Sequence, residues 1–149
     1  MVGIIVVAHG PLAKAFLDTI NMIVGDRVDI AAISIDANDN SDTARERIKE
    51  GIKQMEQGSG VLILTDMFGG SPSNISLAFL EEDKVEVVSG LNLPMIMKLV
   101  QLPGNLGLKE AANLARETGQ GSILIASNFL SKEMSAEGEK KGMGTARKG

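Results

Sequence analysis

The chain has 149 residues, 44% apolar and 23% charged, with a formal charge of −4 and no cysteine. That length suits one compact domain with a single core, and the composition is that of an ordinary globular protein. Without cysteine there is no disulfide, thiolate nucleophile or cysteine-held metal, which fits a cytoplasmic setting. The acidic balance, with no Trp or Tyr and only four Phe, argues against nucleic acid as a partner.

The first apolar run, Gly3 to Val7, starts almost at the N-terminus without the basic segment of a secretory signal, so none is expected. Its β-branched content predicts a strand. Leu12, Phe16, Ile20 and Ile23 then recur at helical spacing, with Pro11 suited to a first turn and Gly25 to a stop. A second strand is predicted at Ile30 to Ile35. Ser41 is read as the N-cap of a helix whose stripe of Ala44, Ile48, Ile52 and Met55 opposes a charged, solvated face. Val61 to Thr65 reads as a third strand. The loop Asp66-Met67-Phe68-Gly69-Gly70-Ser71-Pro72-Ser73-Asn74 leads into a helix ending near Leu80, and Val85 to Val88 is the fourth strand. Asn92 or Leu93, before Pro94, marks another helix start, and a last helix from Leu108 to Thr118 is expected to stop at Gly119. Ser122 to Ala126 is read as a final strand. Beyond it, Ser131 to Gly149 is rich in Lys, Glu and Gly and poor in apolar residues, so residues 129–149 are expected to be a flexible tail on a domain of residues 1–128. No apolar stretch approaches the roughly 20 residues needed to cross a bilayer.

Strands this uniformly apolar are expected in a parallel sheet covered on both faces, so the fold class is α/β, an open mainly parallel sheet with helices on both sides. In such sheets ligands collect beyond the C-terminal strand ends, near the point where connections reverse direction. That rule selects Ala8-His9-Gly10 after the first strand, Asp66 to Ser71 after the third, and Ser89 to Asn92 after the fourth. His9 is the only histidine, and flanking Gly10 and Pro11 should leave its ring exposed at the sheet edge. The Asp66 carboxylate ends a neighbouring strand and could bond one ring nitrogen, fixing the tautomer and leaving the other lone pair free. The bland alternative for Asp66 is a turn or helix cap. Gly69 and Gly70 permit close backbone approach to an anion, and the amides around Ser71 at a helix start would supply donors. Met67 and Phe68 are either docking surface or core.

A Ser-His-Asp hydrolase built from Ser71, His9 and Asp66 stays open as a second reading, although the last glycine of a nucleophile elbow is missing. A receiver domain phosphorylated on Asp66 would be expected to carry an acidic cluster after the first strand, where Ala8-His9-Gly10 stands. One histidine and scattered carboxylates offer too few ligands for a metal, and no cofactor fingerprint or phosphate-binding P-loop is present.

Three segments, Ile5 to Gly10, Leu64 to Asn74 and Val88 to Met95, together resemble the EIIA component of the mannose-type bacterial phosphotransferase system. The resemblance spans residues 1 to about 128. It implies that His9 accepts a phosphoryl group from HPr and passes it to a histidine of EIIB, with no cofactor. Asp66 would orient His9, and Ser71, Gly69, Gly70 and Thr65 would surround the phosphate. It further implies a homodimer in which the last strand is antiparallel and exchanged, and peripheral association with membrane components. Two departures are visible: Ser71 stands where the family often has Thr, which keeps the hydroxyl, and residues 131–149 are too few for the EIIB domain fused to some members. A separate or excised EIIA is therefore expected, serving either sugar uptake or a regulatory role in the same relay.

Overall fold

The computed structural model describes residues 1–26 and 29–143. Its centre is a four-stranded, all-parallel sheet of β1 (Gly3–His9), β2 (Ile30–Ile35), β3 (Val61–Thr65) and β4 (Val85–Ser89), in the order β2-β1-β3-β4. The intervening helices are α1 (Leu12–Val24), α2 (Ser41–Met55), α3 (Ser71–Leu77), α4 (Leu93–Leu99) and α5 (Leu108–Gly121).

The period-two geometry of a strand sends alternate side chains to opposite faces, and both faces here are dry. Ile4, Val6, Ala8, Leu62 and Leu64 pack with Ala13 and Ile20 of α1, Met95 and Ile96 of α4, and Ala111 and Ala115 of α5. On the other face, Ile5, Val7, Ile33, Ile35 and Ile63 meet Ala44, Ile48 and Met55 of α2 and Ile75 beside them in α3. The result is a three-layer sandwich with two separate apolar clusters divided by the sheet.

Most predicted boundaries fall within a residue or two of the observed ones. Asn40 rather than Ser41 caps α2, its side chain accepting from the Asp42 N–H at 2.7 Å. The helix expected to end at Gly119 runs on through Gly121.

The expected fifth strand is not formed. Within one chain, residues 123–125 form no regular structure and pair with no strand, and the sheet keeps its four strands. Ile123, Leu124 and Ile125 are 78%, 64% and 66% exposed. In place of an irregular tail, α6 (Ala126–Met143) follows, and every residue from Ala126 to Ser135 is exposed. Good helix formers such as Lys132, Glu133 and Met134 favour a helix over this exposed stretch. Residues 144–149 of the expected tail lie outside the described residues. Among the described residues no helix is long and apolar enough to cross a membrane.

Candidate functional site

The connection after β1 leads through α1 to β2 on one side, whereas that after β3 leads through α3 to β4 on the other. The crevice between the ends of β1 and β3 is therefore the switch point of the sheet. His9 is the last residue of β1, and Asp66 immediately follows β3. The parallel pairing of these two strands, Val7 opposite Thr65, places the two residues at adjacent strand ends.

Their side chains meet. The Asp66 Oδ2 accepts from the His9 ring Nδ1 at 2.7 Å and from the His9 backbone N–H at 2.9 Å. Its Oδ1 accepts from the Met67 N–H at 2.9 Å, so the carboxylate also serves as the turn cap that was its alternative reading. With the Asp66 side chain 12% exposed and that of His9 48% exposed, the carboxylate is the buried anchor and the ring the accessible end. Burial alone would push the Asp66 carboxyl up. Hydrogen bonds from the His9 backbone and ring, the charge of that ring and the Met67 N–H outweigh burial and hold it below the usual carboxylate range. An ionised Asp66 accepts the Nδ1 proton and leaves Nε2 with an unshared pair.

The ring edge is backed by the glycine pair. Gly69 adopts φ +91°, a left-handed conformation that turns the loop. Gly70 has an ordinary φ of −81°, but a Cβ there would lie 2.7 Å from His9 Cε1 and 3.2 Å from Nε2. The two glycines thus have different tasks: one bends the chain, the other makes room for the imidazole. Ser71 opens α3, with Pro72 in the first turn. His9, Gly10 and Ser71 line one cleft of about 370 Å³, together with Asp36, Asp39 and Ser41 from the β2–α2 side. Met67 and Phe68, in the loop after Asp66, are exposed and take no part in the core.

Thr65 is not brought to the cleft. It is wholly buried, and its hydroxyl pairs with the Ser89 hydroxyl at 2.8 Å. The sequence reading also passed over Ser73, a fully buried hydroxyl 3.5 Å from that of Ser89. Serines carry no periodic or spacing signal, so only the fold reveals that these converge. Among the described residues no group of three or more metal-ligating side chains comes together.

Comparison with known proteins identifies the family. The profile of the family described as "PTS system fructose IIA component" matches residues 3–115. The chain is 28% identical over 137 residues to the fructose-specific EIIA component of Bacillus subtilis, covering 91% of this chain and 94% of that one. It is 29% identical over 124 residues to the mannose-specific EIIAB component of Escherichia coli, of which it spans 38%. Among solved structures, EIIA from Streptococcus agalactiae superposes with a TM-score of 0.77 at 27% identity, covering 86% of this chain and 99% of that one. The mannose/sorbose-specific IIA subunit from Enterococcus faecalis gives 0.75, also at 27%, over 83% of this chain and 93% of that one. With most of its length matched by one family profile and its fold shared with solved EIIA proteins, this chain belongs to the mannose-type EIIA family of the sugar phosphotransferase system.

Proposed function

We propose that His9 is the phosphoryl relay of this EIIA, accepting the group from HPr and passing it to a histidine of EIIB. The observation that carries the reading is the 2.7 Å bond between His9 Nδ1 and Asp66 Oδ2, with the opposite edge of the ring beside an open cleft. In the forward step the Nε2 lone pair attacks phosphorus, a P–N bond forms, and the P–N bond to the donor imidazole breaks with its electron pair returning to the donor nitrogen. The Nδ1 proton stays on the ring, held by Asp66, whose charge balances the imidazolium character that develops. Transfer onward to EIIB is the same step with the roles exchanged. Ser71 and the backbone at Gly69 and Gly70 flank the place where phosphate oxygens would sit, and exposed Met67 and Phe68 supply apolar docking surface for both partners.

The exposed Ile123-Leu124-Ile125 segment supports a homodimer in which each chain lends residues 122–126 to the outer edge of β4 in the other, antiparallel to it. The setting for this chemistry is the cytoplasm, in peripheral contact with the membrane components that move the sugar. Incubation with phosphoenolpyruvate, enzyme I and HPr, followed by intact mass measurement, tests the relay. Wild type should gain one phosphoryl group and His9→Ala none; an unmodified wild type, or equal labelling of the variant, would remove His9 from this role.

A further inference from the structure

The loop from Asp66 to Gly70 is bounded by Thr65 at the end of β3 and by the first turn of α3, which holds Ser71 and Ser73, and Thr65 and Ser73 are wholly buried. Neither hydroxyl faces the cleft. Thr65 Oγ1 lies 2.8 Å from Ser89 Oγ, and Ser73 Oγ lies 3.5 Å from the same atom. Ser89 is the last residue of β4, on the strand next to β3, and the backbone repeats the tie, the Leu91 N–H donating to the Thr65 carbonyl at 3.0 Å. One hydroxyl on the sheet edge thus touches the strand end before the loop that faces His9 and the first helical turn after it.

A row of three hydroxyls is a costly way to fill this space. Valine and alanine would fit with no desolvation penalty, so packing alone gives no reason for polar groups here. What hydroxyls add is direction: a hydrogen bond fixes the separation and orientation of its partners, and linked bonds reinforce one another. The groups fixed here are Thr65, which adjoins Asp66, and Ser73, which shares the first turn of α3 with Ser71. We propose that Ser89 is a positioning residue for phosphoryl transfer, clasping Thr65 and Ser73 so that Asp66 and Ser71 keep their places around His9. This rests on the relay reading of His9 and assigns to Thr65 a task other than contact with phosphate.

The test uses the full chain and four proteins: wild type, Ser89→Ala, Ser89→Thr, and the triple variant Thr65→Val/Ser73→Ala/Ser89→Ala. The triple variant leaves no buried hydroxyl without a partner, so it should melt close to wild type even where Ser89→Ala does not. Single-turnover and steady-state transfer from phosphorylated HPr would be measured for each, with the His9 ring proton observed by NMR. Misplacement of Asp66 should lower kcat about tenfold in Ser89→Ala and in the triple variant while KM for HPr stays within about twofold. Ser89→Thr should recover most of the rate, and the Nδ1 proton signal should move in both slow variants. A stable triple variant with wild-type kcat and an unmoved ring proton would reduce the clasp to packing and overturn the proposal, leaving the relay intact. An unlabelled wild type would overturn both.

Discussion

Gly70 shows how narrow the tolerance at His9 is. Its φ of −81° suits any residue, so adding a methyl does not strain the backbone. The methyl would instead meet the imidazole at 2.7 Å, and the half-exposed ring is free to swing away. Gly70→Ala should therefore keep stability within about 1 kcal/mol, as surface changes do, yet lower transfer from HPr at least about tenfold by breaking the Asp66 contact. Melting curves and transfer kinetics on the same preparation check both halves. Asp66 makes a prediction in pH. Its carboxyl is held below the ordinary range in the folded chain, so the unfolded state binds the proton more readily. The stability this contributes is fully present above the unfolded value near 3.8 and is lost as pH falls through the folded one. Urea unfolding of wild type and Asp66→Asn should converge as pH drops below about 4, with wild type the more stable above it. A constant difference across that window would mean that the carboxylate is not the group responsible. Both residues were legible before the fold was known, because a lone histidine and an aspartate stood where the switch-point rule places chemistry. The separate tasks of Gly69 and Gly70 were not, since a dihedral angle and a contact distance do not exist until the loop is built.

At the scale of elements, some helix ends were legible and others were not: Gly25 does stop α1, whereas Asn40 rather than Ser41 caps α2. Asn92 was read as a helix start, and its Oδ1 does accept from the Met95 N–H at 3.0 Å. The same side chain donates through Nδ2 to the carbonyl of Gly119 at 3.0 Å, binding the start of α4 to the last turn of α5. That second bond joins residues 27 positions apart and has no trace in local pattern. Asn92→Ala loses both, so it should cost about 1–2 kcal/mol, the larger end of what a cap alone contributes. Thermal unfolding measures it, and Asn92→Asp, which keeps the cap and loses the donor, should fall between. The stop expected at Gly119 failed for a related reason. Gly119 is a place of close approach inside the helix, where a Cβ would lie 2.8 Å from Met95 Cε, and Asn92 bonds its carbonyl. The run at Ser122 to Ala126 has the composition of a strand, but strand propensity is realised only beside a partner edge, and within one chain this segment joins none.

For the whole molecule, the proposed dimer joins that unpaired segment to the outer edge of β4. The sheet ends at β4, where Glu81 pairs with Val85 through both backbone bonds, at 2.9 and 3.1 Å, and so covers only the first residue of the edge. The rest of β4 is of a length to receive a strand as short as 122–126. Exposing Ile123, Leu124 and Ile125 to water is unfavourable at about 25 cal/mol per Å² of apolar surface, and covering them in a second copy would recover much of that. A two-fold exchange makes the contact twice per pair, which is why such a short strand could hold two chains together. Replacing the two residues that point to one side of the strand, in Ile123→Asp/Ile125→Asp, should convert the dimer to a monomer in sedimentation velocity experiments. The monomer should stay folded, because neither residue belongs to either apolar cluster. If wild type sediments as a monomer throughout, or if the double variant dimerises as strongly as wild type, the β4 edge is not where the copies meet.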